Sequence, residues 1–342
     1  MTRPRIAVLG TGAQGAGIGA DLIRAGHDVT LIEQWPAHVE AMRERGIEVR
    51  LPLETVITPA QPVHFCDVAT LREPFDVVLV LVKAYDTRWT VELIAPHLAD
   101  DGVVVGVQNG MTMDDIAAVV GPHRTLGAVI EMASNMFDPG VVNRQNAPAD
   151  SWFAVGGVDP RAHERAAEVR EIMSCTGTVE VSDDIRSSKW MKLVANAGEL
   201  VPSAILDLPL ADAVRLPGVH EFMIRCGAEA ARAALADGSR LVSIFGLSED
   251  ELTDPDSYAA RLLGEVLDKY SLPDTRTTVL QDWMKGRRSE YRELNGHVAE
   301  VLARSGATAP FNAHVVELAD RIERGELERG IHLLDSLLSG GA

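Results

Sequence analysis

Apolar residues run together in four short blocks near the start of the chain: "RIAVLG", "DVTLIE", "FDVVLVLVK" and "GVVVGVQNG". Each block is apolar at consecutive positions, which predicts strands buried on both faces of a parallel sheet. Helix-like stretches separate them, so the pattern is a βαβ succession. Shorter runs at "TLGAVIEMAS", "GVVNRQ", "WFAVGG" and "GTVEVS" predict a mixed continuation of the same sheet. After Ser182 the spacing changes to three and four. Helices are predicted over Ile185 to Val201, Val219 to Ala236, Tyr258 to Lys269, Arg276 to Ser305 with a break at Gly286 or Gly296, Ala309 to Arg324 and Leu327 to Leu338. Residues 1–182 therefore read as an α/β domain and residues 183–342 as an all-helical one. No Gly-Ser-rich linker separates them, and a cleft between the two is the expected ligand site.

A length of 342 residues with 46% hydrophobic content supports two domains rather than one. The formal charge of -18 argues against nucleic acid or an anionic membrane as a bulk partner, while a local basic pocket for a small anion stays open. No apolar run is long enough to span a bilayer, and "MTRPRIAVLG" leads directly into a strand, so the chain reads as cytoplasmic. Cys66, Cys175 and Cys226 are widely spaced with no CxxC pair, which suggests buried free thiols and neither a disulfide framework nor a metal site.

"VLGTGAQG" places Gly10, Gly12 and Gly15 in G-x-G-x-x-G spacing between the first strand and a helix. Glycines there let the backbone turn tightly and approach a pyrophosphate, whose charge sits at the helix N-terminus. Glu33 ends the second strand 23 positions after Gly10, where the residue meeting the adenine ribose is expected. This is the arrangement of a Rossmann dinucleotide-binding domain. A carboxylate there accepts ribose hydroxyls of NAD and repels the 2′-phosphate of NADP, which favours NAD; the opposing reading leaves Glu33 in solvent, with Arg43 or Arg45 reaching a phosphate. Lys83 and Asn109 follow the third and fourth strands at their carboxyl ends, where ligands bind in such sheets. Alone, either is equally a solvated strand-end lysine or an Asn-Gly turn.

In "KWMKLVANAGEL", Lys192 and Asn196 are four apart and share one face of a largely apolar helix. An amine and an amide so placed can converge on one oxygen, and dehydration would tune the amine for acid catalysis. The alternative is a snorkelling lysine. Thr278 and Glu290 lie twelve positions apart, about 18 Å along a straight helix, and reach one small ligand only if the chain bends near Gly286.

Taken in order, "GTGAQG", "VKAYDT", "QNGM", "KWMKLVANA", "TTVLQD" with "SEYRELNG", and "ATAPFN" resemble the ketopantoate reductase family over nearly the whole chain. The resemblance implies a Rossmann domain followed by an all-α domain of the 6-phosphogluconate dehydrogenase C-terminal type, and NAD(P)H-dependent reduction of a 2-oxo acid, as in 2-dehydropantoate 2-reductase. It implies Lys192 as general acid and Glu290 as the carboxylate that meets the substrate hydroxyl. Asn196 stands beside the lysine, Lys83 and Asn109 line the nicotinamide and substrate pocket, and Thr278 replaces a serine that meets the substrate carboxylate. Lys83 or Arg292 would assist Thr278. A homodimer is compatible with the family.

Three positions depart from it. Leu200 stands where a second asparagine is usual, Arg292 where an aspartate is common, and Glu33 where an arginine often serves NADPH. Two alternatives therefore stay open: an NAD-dependent dehydrogenase oxidising a different hydroxy acid or alcohol, and a dinucleotide sensor without catalysis.

Overall fold

The alternation within the first strand explains the arrangement of the whole N-terminal half. In β1 (Arg5–Leu9), Ile6 and Val8 join one core cluster while Ala7 and Leu9 join another on the opposite face of the sheet. The computed structural model describes residues 3–247, 254–271 and 275–340. The chain divides into two units, Met1–Ile185 and Arg186–Ala342.

In the first unit β1 is followed by β2 (Asp28–Glu33), β3 (Ile47–Arg50), β4 (Thr55–Thr58), β5 (Val63–His64), β6 (Phe75–Val80), β7 (Leu98–Gly106), β8 (Thr125–Glu131), β9 (Ser134–Asn135), β10 (Val141–Arg144), β11 (Trp152–Gly157) and β12 (Thr178–Val181). Its helices are α1 (Ala13–Arg24), α2 (Pro36–Arg45), α3 (Thr87–Ile94), α4 (Met113–Val120), α5 (Pro160–His163) and α6 (Ala166–Met173). Eight strands form one sheet in the order β12-β11-β8-β7-β6-β1-β2-β5, parallel throughout except where β11 runs against β8. Chain order reverses between β1 and β6, which makes that boundary the topological switch point.

One of the predicted strands, "GVVNRQ", does not extend this sheet. β9 and β10 pair instead with the hairpin β3–β4 in a four-stranded sheet of order β4-β3-β10-β9, and the hairpin itself has no counterpart among the sequence-predicted elements. Packing decides the matter: Ile47, Val49 and Val142 enter the same core cluster as Ile18 and Leu22 of α1. Arg144, at the end of β10, is wholly buried and donates to Asp21 of α1 at 2.5 Å, to Ser151 Oγ at 2.8 Å and to the Thr176 carbonyl at 2.8 Å. A buried cation so enclosed fixes the strand, because losing one member of such a pair costs about 3–5 kcal/mol.

The second unit is helical. α7 (Ile185–Ile205) begins at the boundary, and α8 (Leu210–Ala213), α9 (Val219–Ala236), α10 (Pro255–Lys269), α11 (Thr278–Met284), α12 (His297–Arg304), α13 (Pro310–Glu323) and α14 (Leu334–Leu338) follow. α7 runs past its predicted end and through Pro202, while the Ser203 hydroxyl donates back to the Glu199 carbonyl at 2.6 Å. α7 and α9 approach closely at glycines: a Cβ on Gly198 would lie 2.9 Å from the Met223 carbonyl oxygen.

The long helix predicted over Arg276 to Ser305 breaks at Gly286, whose φ of 64° belongs to the left-handed region, whereas Gly296 stays helical at φ −63°. Leu327 to Gly330 is not helical, because Gly330 at φ 155° delays the turn to Ile331. Of the cysteines only Cys226 is buried; Cys175 is intermediate and Cys66 is exposed, since its short 3-10 turn buries Val68 instead. Among the described residues, no helix is long and apolar enough to cross a membrane.

Candidate active site

In the first unit the strand register brings the candidate nucleotide-binding residues to one edge of the sheet. Leu9 pairs with Ile32 and Val80, and Val80 with Gly106. Just beyond these positions, Gly10 N donates to Ile32 O at 2.9 Å, Leu81 N to Leu9 O at 2.8 Å, and Val107 N to Val80 O at 3.0 Å. Lys83 and Asn109 each lie three residues past a register-paired position, so they leave the sheet at equivalent heights at its carboxyl edge. Both are partly buried. The Asn109 loop is held by Gln108, which donates to Thr87 Oγ1 at 2.8 Å and accepts from Thr112 Oγ1 at 3.1 Å.

The glycine turn fits a dinucleotide. Gly10 has φ 89° and lies so near Val82 that an added Cβ would meet the Val82 nitrogen at 2.5 Å. A Cβ on Gly15 would collide with the Gly10 carbonyl oxygen, whereas one on Gly12 would meet nothing within 4 Å. Gly10 and Gly15 are thus required by packing, and Gly12 leaves open space over the start of α1. That helix has Gly12 as N-cap, no side-chain cap and no acidic residue in its first turn, which leaves its positive end available to an anion.

Glu33 is not the solvent-facing group of one reading, being 6% exposed. Neither is it open for ribose hydroxyls, because its carboxylate already takes four donors: Thr11 N at 2.6 Å, Thr11 Oγ1 at 3.1 Å, and Gln34 N and Trp35 N at 2.9 Å each. Two donors per oxygen occupy its acceptor capacity. Arg43 and Arg45 are engaged elsewhere, donating to the Pro62 and Pro139 carbonyls. Sequence reasoning missed His38, which is buried in α2. Gly140 N donates to its Nδ1 at 2.8 Å, which leaves Nε2 as donor to the Thr11 carbonyl at 2.8 Å. Thr11 is therefore held at its amide, hydroxyl and carbonyl together.

A second group of candidate residues lies in the helical unit. Lys189, Lys192, Asn196 and Glu199 follow one another on α7 at spacings of three, four and three, one polar stripe on a helix otherwise lined with buried Trp190, Leu193, Val194 and Ala197. Lys192 is partly buried, with Nζ 4.9 Å from the centroid of the Phe245 ring. Phe245 holds a left-handed backbone at φ 57°, a strained conformation for an aromatic residue, and no pattern in the sequence announces it. Lys189 was likewise unforeseen: it is 3% exposed, and burial pushes its amine down to about 7.

Two hydrogen bonds bring the other elements to this stretch of α7. Thr277 Oγ1, at the start of α11, donates to the Leu200 carbonyl at 2.9 Å. Asn295 Nδ2 donates to the Ala197 carbonyl at 2.9 Å and to Asn312 Oδ1 at 2.8 Å. The acceptors are three residues apart, about 4.5 Å along the axis. These bonds tie the segments that carry Thr278 and Glu290 to α7. Glu290 is 4% exposed, which excludes a solvated surface charge.

Asn295 belongs to a π-helical turn, Arg292–Gly296, where the ladder widens by one residue; such turns recur at functional sites. Asn196 Nδ2 and Thr278 Oγ1 are buried and find no hydrogen-bond partner among the described residues. Buried donors are nearly always paired, which makes both candidate contacts for a ligand. Arg292 does not serve the substrate carboxylate: its guanidinium is taken by Asp320 and by Tyr291 Oη, and its side chain is 58% exposed.

Known proteins carry the same plan. Family models for "Ketopantoate reductase PanE/ApbA" and its C-terminal part match residues 6–156 and 184–323. A 2-dehydropantoate 2-reductase of Archaeoglobus fulgidus is 28% identical over 95% of this chain and 100% of its own length. One from Pyrococcus horikoshii is 26% identical over 90% and 94%. Among solved structures, a PanE/ApbA family ketopantoate reductase from Ralstonia eutropha superposes with a TM-score of 0.79 at 26% identity, covering 94% of this chain and 99% of that one. A D-mandelate dehydrogenase with NADH and anilino(oxo)acetate reaches 0.83 at 20% identity over the same shares, which shows a common fold.

Proposed function

We propose that this chain, which belongs to the ketopantoate reductase family and so is an oxidoreductase acting on a CH–OH group or its ketone with a nicotinamide coenzyme, reduces a 2-oxo acid with Lys192 as general acid. When bound, the coenzyme supplies hydride to the C2 carbon. Negative charge then grows on the former ketone oxygen, and the ammonium of Lys192 stabilises it and delivers a proton. Asn196 donates its amide N–H to the same oxygen and orients it. Glu290 accepts from the hydroxyl that results, and Thr278 donates its hydroxyl to the substrate carboxylate, assisted by Lys83. Gly10, Gly12 and Gly15 hold the pyrophosphate at the start of α1, with Asn109 towards the nicotinamide end.

The observation that supports the reading is a pair of buried, unpartnered donors, Asn196 Nδ2 one turn from Lys192 on α7 and Thr278 Oγ1 at the start of α11, together with a buried Glu290. Lys192→Ala should lower kcat roughly 10³-fold across a panel of 2-oxo acids while the Kd for NADH stays within twofold. A variant turning over at the wild-type rate would remove the role.

NAD is the favoured coenzyme. Glu33 supports this through its charge rather than through ribose hydrogen bonds, since a 2′-phosphate brought to the end of β2 meets a buried carboxylate. NADH should bind at least tenfold tighter than NADPH, and equal affinities would withdraw the assignment.

A second reading is favoured by Leu200, which is 7% exposed and apolar where the family usually has asparagine. In it the same groups run backwards, Lys192 taking the proton as a larger hydroxy acid is oxidised with NAD. Aliphatic and aryl 2-oxo and 2-hydroxy acids compared with both coenzymes separate the two. Coenzyme binding without turnover of any of them would leave only a sensor.

A further inference from the structure

The end of α13 carries two acids where the helix dipole disfavours them, Asp320 and Glu323 in its last turn. Both are engaged with the segment that bears Glu290. Glu323 Oε1 accepts from Ser289 N at 2.7 Å, from Ser289 Oγ at 2.8 Å and from Trp283 Nε1 at 3.0 Å. Asp320 Oδ1 accepts from Tyr291 Oη at 2.8 Å and pairs with Arg292, and its Oδ2 faces Arg324 at 3.1 Å. Arg292 Nε also donates to Tyr291 Oη at 2.8 Å. The residues immediately before and after Glu290 are thus both fastened to one face of α13, three residues apart. Ser289 and Tyr291 are 1% and 2% exposed, so the fastened backbone is interior although the acids reach it from the surface.

From this we infer that Glu323 and Asp320 are positioning residues: together they brace residues 289–292 so that the Glu290 carboxylate is held at a fixed height against α7. The inference rests on the substrate role given to Glu290 above. The same brace of Glu290 has a further anchor, because Trp283 belongs to the last turn of α11, the helix that begins at Thr278. By taking donors from Trp283 and Ser289 on one oxygen, Glu323 closes the turn around Gly286 and fixes the span between Thr278 and Glu290 that a straight helix would make too long. Arg292 acquires a purpose too: with Asp320 as its partner, a cation in place of the usual aspartate strengthens the brace instead of reversing a charge beside the substrate.

The test is steady-state kinetics with a 2-oxo acid and NADH, together with NADH affinity by fluorescence, on Glu323→Ala, Glu323→Gln, Ser289→Ala, Glu290→Gln and the double variant Glu323→Ala/Glu290→Gln. Glu323→Ala should raise KM for the oxo acid at least tenfold with the Kd for NADH within twofold. Glu323→Gln, which keeps an acceptor oxygen, should recover most of the loss, and Ser289→Ala should give a smaller rise of the same kind. Since Glu323 acts through Glu290, adding Glu323→Ala to Glu290→Gln should leave KM where Glu290→Gln alone puts it. A wild-type KM in Glu323→Ala and Ser289→Ala beside an impaired Glu290→Gln would overturn the brace, as would effects that multiply in the double variant. An unimpaired Glu290→Gln would overturn the reading of Glu290 itself, and the brace with it.

Discussion

Lys189 and Lys192 show how much a single residue's surroundings matter. Both stand on one face of α7, yet only Lys189 is wholly buried, and its amine falls to about 7 because nothing but dehydration is acting on it in that direction. An unfolded chain keeps that lysine protonated up to about pH 10.4. Between pH 7 and 10 the unfolded state therefore holds the extra proton, and folding stability rises with pH. Urea titrations at pH 7 and pH 9 should show Lys189→Met losing that slope, a difference on the order of 2 kcal/mol from the wild type. Equal slopes would mean that Lys189 stays charged inside the fold. The helical spacing of Lys192 and Asn196 was legible in the sequence because period alone places them on one face. Which lysine is dehydrated was not, since that depends on packing around α7, and Phe245 was invisible because a left-handed aromatic has no local signature.

At the scale of elements, the turn between β1 and α1 separates two uses of glycine. Gly15 is fixed by contact with the Gly10 carbonyl, while Gly12 faces open space. Gly12→Ala should fold with an unchanged melting temperature and lose at least tenfold in NADH affinity, whereas Gly15→Ala should lose stability. A Gly12→Ala protein that binds NADH normally would show that the open space is not the pyrophosphate's. The main sheet was readable because β1, β6 and β7 bury both faces and so show unbroken apolar runs. β3 and β4 were not, because "IEVRLPLETVIT" buries one face around a proline turn and leaves Leu53 and Ile57 exposed at 99% and 60%. The sheet that β9 and β10 join is a non-local choice, made by α1 and by the Arg144–Asp21 pair. In the helical unit, either of two glycines suits a break, and only the left-handed φ of Gly286 decides.

For the molecule as a whole, charge sets the terms of encounter. A chain of formal charge -18 must admit an anionic oxo acid and an anionic coenzyme. Long-range repulsion is screened over about 10 Å at 0.1 M salt, while the local cations proposed to meet the ligands, Lys83 and Lys192, would act at contact. kcat/KM for the oxo acid should therefore rise severalfold between about 0.01 and 0.1 M ionic strength, a range over which the Debye length falls from about 30 to 10 Å. A fall over that range would mean that a basic funnel outweighs the net charge. Composition made the acidity plain, and such acidity argues against nucleic acid as a bulk partner. The pocket's preference among oxo acids was hidden, because Leu200 and its neighbours act through packed shape.

The widened turn at Arg292–Gly296 has one more consequence. A π turn is an α-helix with a residue to spare, so an alignment or a redesign that trims residues 292–296 by one to restore ordinary spacing would swing everything upstream by about 100° relative to α12. The carboxylate of Glu290 would then point to another quarter around the helix axis, in a protein whose secondary structure content had scarcely changed.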